Sequence, residues 1–173
     1  MTEKRSNGFT LDALRPPQME PPVVGSRDVM TIFGFDYRPL VIERLRRHGV
    51  NASKQELRFL DTGLRQKGSQ ELCFLEQVVG EHRVFLSYLG PNSTTTRHFH
   101  TYPVEELYEA LAGKTFLTIC QVTHELNTEN GAVVVPPGEP HHLKTGENPA
   151  LILSIMRDKL PIPPSDFKLL ELD

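Results

Sequence analysis

The chain has 173 residues, 38% of them hydrophobic, and its 19 Lys and Arg stand against 22 Asp and Glu for a net charge of −3. This length suits a single domain with a packed core. The basic residues are scattered and no apolar run approaches the roughly 18 residues of a membrane span, so the composition argues against nucleic acid or a membrane as a partner and predicts a soluble, cytoplasmic protein.

Residues 1–25 are predicted to form an irregular N-terminal arm. They are polar and contain four prolines, which block regular helices and strands. Such an arm is a candidate for contact with the domain formed by the rest of the chain or with a second subunit.

Residues 26–70 are predicted to be a helical N-terminal extension with two helices. The first covers 39–48, where apolar side chains fall on one side and Gly49 provides the stop. The second follows a Ser-x-x-Glu capping box and runs to about Gln66. Its capping residues and apolar stripe are Ser53, Glu56, Leu57, Leu60 and Leu64.

Residues 71–159 change to short segments rich in β-branched, aromatic and leucine residues. Two such runs flank Gly80-Glu81 and predict a β-hairpin. Many short strands without intervening helices indicate an all-β sandwich or barrel. The tail, 160–173, has a proline break and is expected to add one helical turn. Further strands are predicted at 115–124, 132–135 and 150–156.

The two cysteines, Cys73 and Cys120, each lie alone in a predicted strand. No second thiol lies near either one, so neither a metal knuckle nor a disulfide framework is indicated. Both are expected to be small buried hydrophobes.

Three histidines and a glutamate form the candidate metal-binding site of the sequence. In a strand, His98 and His100 project to the same face because side chains alternate. If the chain turns at Tyr102-Pro103 and returns as a paired strand, Glu106 meets these histidines across the ladder. His141 begins another strand after the turn at 136–138. Imidazoles with a carboxylate suit a divalent transition metal better than Mg or Ca.

These residues resemble the two motifs of the cupin superfamily. His98-Phe99-His100, with Glu106 and then Gly113, matches the first motif, and Pro136-Pro137-Gly138 with His141 matches the second. Glu105 competes with Glu106 as the ligand by its distance from His100, whereas the distance to Gly113 favours Glu106. The loop from Gly90 to His98 is longer than usual, and Thr145 stands where the family often has Asn.

The resemblance implies a cupin jelly-roll β-barrel of two antiparallel sheets. It also implies that 104–114 is a strand, although helix propensity alone predicts a helix there. The implied ligands of one divalent transition metal (Fe, Mn, Zn or Ni) are His98, His100, Glu106 and His141. Cupins commonly pair through sheet edges, so a homodimer is expected.

Within the superfamily, the chain is similar to archaeal-type phosphoglucose isomerases in the order His-x-His, Glu-x-Tyr and Leu-x-Gly. That similarity implies that Glu106 is both ligand and proton carrier and that Tyr108 lies beside the substrate. The leading hypothesis is therefore a metal-dependent enzyme that isomerises a sugar or sugar phosphate. An Fe(II)-dependent dioxygenase is the first alternative, and a non-catalytic barrel that binds a metal and a small ligand is the second.

Other polar residues are assigned less specific roles. His142 should face outward because it follows His141 in the strand. Arg97 and Lys144 flank the motif strands, where they are either solvated surface charges or contacts for an anionic substrate. Structural or surface roles are expected for His48, His82 and His124.

Overall fold

The computed structural model describes residues 36–55, 57, 60–61, 73–101, 103–157 and 167–169. These residues form one helix and nine strands. The helix is too short to cross a membrane. The elements are α1 (Arg38–Arg47), β1 (Leu60–Asp61), β2 (Cys73–Val79), β3 (His82–Leu89), β4 (His98–His100), β5 (Glu105–Ile119), β6 (Val122–Asn127), β7 (Val133–Val135), β8 (His141–Arg157) and β9 (Phe167–Leu169).

The strands form two antiparallel sheets that share β5 and β8. The first sheet has the order β1-β2-β3-β8-β5-β7 and uses residues 150–157 of β8 and 105–113 of β5. The second sheet has the order β6-β5-β8-β4-β9 and uses residues 114–119 and 141–145. Register shifts near Ala110 and Gly113 mark the passage of β5 between the sheets. Such bulges bend a strand, so β5 and β8 pass continuously from one sheet to the other.

The apolar core divides along the two faces of the first sheet. One cluster lies between the sheets and contains Leu89, Leu117, Leu143 and Ile152. The other covers the outer face, where the side chains of α1 pack on the first sheet. Alternation along β3, β5 and β8 explains the division, because successive side chains point to opposite faces.

Helix α1 confirms the first predicted helix. Pro39 lies in its first turn, where a missing N–H costs nothing. Val41 and Leu45 are fully buried on one side, and Gly49 follows the helix with φ of +77°. A residue with a side chain is strained at that angle, so a glycine at this position ends the helix without conformational strain.

The second predicted helix is wrong where the structure describes it. The N–H of Leu57 donates to the carbonyl of Ser53, which makes a single turn. Leu60–Asp61 is then a strand that pairs with β2. The predicted continuation to Gln66, like the predicted arm at 1–25, lies outside the described residues.

Three other local predictions are also corrected. The stretch 115–124 is a hairpin rather than one strand. The predicted burial of Cys120 is wrong, because this residue lies exposed in the turn of the hairpin with φ of +53°. The expected helical turn in the tail is a strand at Phe167–Leu169, which pairs with β4. The side chain of Cys73 lies outside the described part. The hairpin around Gly80-Glu81 is confirmed, with β2 and β3 in register from Cys73↔Tyr88 to Val79↔His82.

Candidate metal centre

Four side chains from three strands converge between the two sheets. The second sheet contributes His98 and His100 from β4 and His141 from β8, and the first sheet contributes Glu106 from β5. One ligand atom of each lies within 4.8 Å of every other. Strand β4 pairs with β8 and β9, so the expected pairing of β4 with the strand of Glu106 is wrong. The imidazoles and the carboxylate meet across the barrel interior instead.

Backbone carbonyls orient two of the imidazoles. His98 Nδ1 lies 3.0 Å from the carbonyl oxygen of Thr96, and His141 Nδ1 lies 2.9 Å from that of Glu139. A carbonyl only accepts hydrogen bonds, so each Nδ1 carries a proton and each Nε2 presents its lone pair. Histidines that ligate metals are commonly held in this way.

The Glu106 carboxylate is held at both oxygens. Its Oε2 lies 3.2 Å from Nε2 of His100 and 3.2 Å from Nε2 of His141. Its Oε1 accepts a hydrogen bond from the hydroxyl of Ser154 on β8. Glu106 and Ser154 are both almost completely buried. This leaves Oε2 as the oxygen that faces the histidines.

The pKa values of His98 and Glu106 are shifted in the directions that favour metal binding. Burial, followed by the charge of His141, lowers the pKa of His98 to about 4, so this imidazole is neutral at pH 7. Burial raises the pKa of Glu106, but hydrogen bonds from His100 and His141 outweigh it and leave the pKa below its usual range. Neutral imidazoles with one ionised carboxylate are the protonation states that bind a metal.

These donors fit a divalent transition metal. Without a proton between them, Nε2 of His141 and Oε2 of Glu106 would turn electron pairs toward each other at only 3.2 Å. Two electron pairs at that distance repel unless a cation or a proton lies near both. Imidazole nitrogen and carboxylate oxygen are donors that Zn, Fe, Ni and Mn accept. His98, His100, Glu106 and His141 would hold the ion.

Tyr108 completes the site from β5, two residues after Glu106. Its hydroxyl lies 3.2 Å from Nε2 of His141, to which it can donate. Burial, followed by the charge of Glu106, raises the pKa of Tyr108 well above its usual value. The phenol is therefore protonated at neutral pH and is a donor beside the metal ligands.

The chain was compared with known families, proteins and structures. No protein-family model matches the sequence, and no curated protein does. Solved structures do match. The polyketide cyclase RemF from Streptomyces resistomycificus is 20% identical, with a TM-score of 0.53 over 71% of this chain and 86% of that chain.

Two further structures are similar. One, from work on the DMSP lyases RdDddP and RnDddQII, is 19% identical, with a TM-score of 0.52 over 76% of this chain and 77% of that chain. Rru_A2000 from Rhodospirillum rubrum, a cupin-2 domain, is 15% identical, with a TM-score of 0.48 over 62% of this chain and 76% of that chain. The TM-scores of 0.53 and 0.52 show that the chain has the fold of the first two structures, the cupin-like antiparallel β fold that the sequence motifs predict. Identities this low establish the fold and leave the activity open.

The cupin barrel separates the residues that competed for a role as ligand. Glu106 is 3% exposed and lies in the cluster, whereas Glu105 lies on the other face of β5 and is partly exposed. His142 likewise lies on the opposite face from His141, and it is not part of the cluster. The register that favours Glu106 by its distance to Gly113 is therefore the one that the fold adopts.

Most of the other predicted polar residues lie away from the cluster. Lys144 is exposed and alternates with the buried Leu143 and Thr145. Arg97 lies near the outward-facing His142 and lowers its pKa after the larger effect of burial. His48 is structural, because its Nε2 lies 2.9 Å from Glu109 Oε2 on the outer face of the first sheet.

The departures from the two cupin motifs, the long loop before His98 in the first and Thr145 in the second, contact each other. The Thr145 hydroxyl donates to the carbonyl of Gly90 at 2.6 Å and accepts from the N–H of Ser93 at 2.9 Å. The Thr95 hydroxyl accepts from the N–H of Leu143 of β8 at 2.8 Å, and the Thr95 N–H donates to the carbonyl of Leu143 at 2.9 Å. The long loop before His98 is thus fixed to the strand that carries His141.

Sequence reasoning missed Ser154. It lies in the run Ala150–Met156, where all the remaining residues are apolar and buried. A lone hydroxyl in such a run needs a buried hydrogen-bond partner, and this requirement is the signal by which Ser154 could have been found. The partner, Glu106, is 48 residues away in the sequence, and the sequence alone does not reveal that pairing.

Proposed function

We propose that this cupin is a metal-dependent enzyme that transfers protons on a small, oxygen-rich molecule, with an isomerase of sugars or sugar phosphates as the leading reaction. The observation that carries the proposal is the Tyr108 hydroxyl, 3.2 Å from His141 Nε2 at the edge of the four-residue cluster. A closed structural site would have no use for a protonated phenol at this place. The cluster supplies four donors, which leaves positions open on an ion that accepts six.

A bound divalent ion would polarise a carbonyl or hydroxyl oxygen of the substrate. With the lone pair of His141 Nε2 used by the ion, the Tyr108 hydroxyl would be left to donate its proton to a substrate oxygen as a general acid. The proton on the substrate carbon would need a base, which a protonated phenol does not supply. The Glu106 carboxylate would be that base through Oε2, the oxygen that faces the histidines, while Ser154 holds its Oε1.

The fold neighbours support a catalytic role in general terms. RemF is named as a cyclase and the related structure belongs to work on lyases. We infer that the present site is also catalytic, and that its reaction is a proton transfer beside a carbonyl.

The test uses metal-loaded protein in D₂O without oxygen. Aldoses, ketoses and their phosphates are incubated and followed by NMR, and interconversion with deuterium at the carbon beside the carbonyl is expected. Tyr108→Phe should lower kcat by about 10²- to 10⁴-fold with the metal content unchanged. Tyr88→Phe is the matched control, because Tyr88 packs on the outer face near α1.

Other outcomes would replace the proposal. Consumption of one O₂ per substrate, with no reaction under anaerobic conditions, would establish the dioxygenase alternative. Tight binding of sugars without turnover would establish a binding barrel. A Tyr108→Phe variant with full activity would remove Tyr108 from the reaction.

A further inference from the structure

Arg83 lies on the inward side of strand β3. The side chains of Val84 and Leu86 belong to the outer cluster that contacts α1. Phe85, on the opposite face, packs with Val104 and Met156 at the end of the barrel interior that holds Glu106. Alternation places Arg83 on the same face as Phe85. Its side chain is partly exposed.

The sheet register puts Arg83 in line with the metal ligands. Arg83 pairs with Met156 of β8, and Met156 pairs with Glu106 of β5. Two strand spacings separate the Cα atoms of Arg83 and Glu106 by about 10 Å. Met156, which is almost completely buried, lies between them. Arg83 and Glu106 thus occupy the two ends of one cross-strand row with an apolar residue in the middle.

The position is unusual for a basic residue in this barrel. Among strand residues whose side chains are described, Arg83 is the one arginine or lysine at an inward-facing position. Lys114 and Lys144 are exposed, and the interior cluster is formed by Leu, Ile, Val, Ala and Tyr side chains. Arginine presents a planar fork of donors that matches phosphate and carboxylate oxygens.

We propose that Arg83 binds the anionic group of the substrate, a phosphate ester or a carboxylate, while the opposite end of the molecule faces the metal centre. The placement of that opposite end rests on the proposed function; the anion subsite does not. The substrate class is therefore a small organic anion with hydroxyl or carbonyl oxygens at one end and the charged group at the other. The partly exposed ring of Phe85, which packs on Met156, would contact the carbon chain between the two ends.

Anion binding by the full chain tests the subsite. Inorganic phosphate and acetate are titrated by calorimetry into zinc-loaded wild type, Arg83→Gln and Arg83→Lys, with zinc content measured in the same samples. Arg83→Gln should weaken the preferred anion at least about tenfold, since a charge-assisted fork is lost. Arg83→Lys should fall between, because a lysine keeps the charge without the fork. The two probes distinguish a phosphate subsite from a carboxylate one.

Arg46→Gln is the matched control, because Arg46 is exposed on α1 and should leave anion affinity unchanged. With Mn²⁺ in place of zinc, the relaxation of the phosphorus nucleus reports whether phosphate binds the metal directly. Direct coordination, equal affinity of wild type and Arg83→Gln, or no binding by wild type would each overturn the proposal. Arg83-dependent binding by a protein that fails to take up zinc or Mn²⁺ at the four-residue cluster would keep the subsite and overturn the proposed function.

Discussion

Adjacent residues in this barrel have opposite environments. His141 is buried in the cluster and His142 lies on the other face, and the same holds for Glu106 and Glu105. Strand alternation alone produces this contrast. Each pair contains two adjacent residues of the same type. One lies in the candidate metal site, and the other lies outside it, so a variant of the second residue is a control for a variant of the first.

Ser154 should determine how firmly the site holds a metal. Removing its hydroxyl in Ser154→Ala frees Oε1 of Glu106, so the carboxylate is no longer fixed with Oε2 toward the histidines. Loss of such an outer partner typically costs about 10- to 100-fold in metal affinity. Competition with a chelator of known affinity measures the effect. Ser87→Ala, a second buried serine on the inner face, should bind metal like wild type; a Ser154→Ala protein that does the same would refute the role.

Acid should destabilise the metal-free protein through His98. Its pKa is lowered from 6.5 to about 4, by burial first and by the charge of His141 second. Between these values the unfolded chain holds a proton that the folded chain lacks, so the free energy of unfolding falls as the pH drops from 6.5 to 4. The full effect is about 3 kcal/mol. Urea unfolding at stepped pH measures it, and His98→Gln should flatten the dependence in this range.

Helix α1 is attached to the barrel by a buried group of charges. Glu109 of β5 accepts from Arg44 Nη1 at 2.8 Å and lies 2.9 Å from His48 Nε2. Both partners of Glu109 are mostly buried. The helix is therefore held by apolar packing of Val41 and Leu45 and by one carboxylate that serves two bases.

Breaking this group should be costly for stability and neutral for metal binding. Glu109→Ala leaves the Arg44 guanidinium buried without its carboxylate, which typically costs about 3–5 kcal/mol. The double variant Arg44→Met with Glu109→Met should recover much of the loss, because no buried charge remains. Urea unfolding measures both. An equal loss in the single and double variants would show that the helix depends on packing alone.

The sequence predicts helices and strands well where the local sequence pattern agrees with the strand pairing of the fold. Residues 104–114 are helix formers by propensity, yet 105–114 lie in strand β5, as the cupin resemblance implied, because this stretch pairs with β7 and β8. The capping box at Ser53 produces only one turn, since Leu60–Asp61 pairs with β2. Local propensity is a weak preference that a sheet edge overrides.

The contacts that support the site were beyond sequence reasoning. The four ligands could be found because their spacing repeats a known motif. The pairings of Glu106 with Ser154 and of Glu109 with Arg44 join residues 48 and 65 positions apart. No local pattern encodes such separations, and they follow only from the sheet register and the position of α1.

Metal binding should stabilise the whole molecule. The ligands come from β4, β5 and β8, which are brought together only in the folded chain. An ion at 100 times its Kd adds about 2.7 kcal/mol to the free energy of unfolding. Added Zn²⁺ should therefore raise the Tm of wild type and of His142→Ala, and a chelator should reverse it. His141→Ala should show no rise; an undiminished rise would place the ion elsewhere.

The bent strand β8 holds His141 near one end and Ser154 near the other. A residue inserted within the paired stretches 141–145 or 150–154 would invert the facing of the side chains beyond it. Either the imidazole would then leave the pocket or Ile152 and its neighbours would leave the core. Residues 146–149 join these stretches without pairing with β5, so this segment, like the Gly80-Glu81 turn, is where the barrel can accept added sequence without losing its candidate ligands.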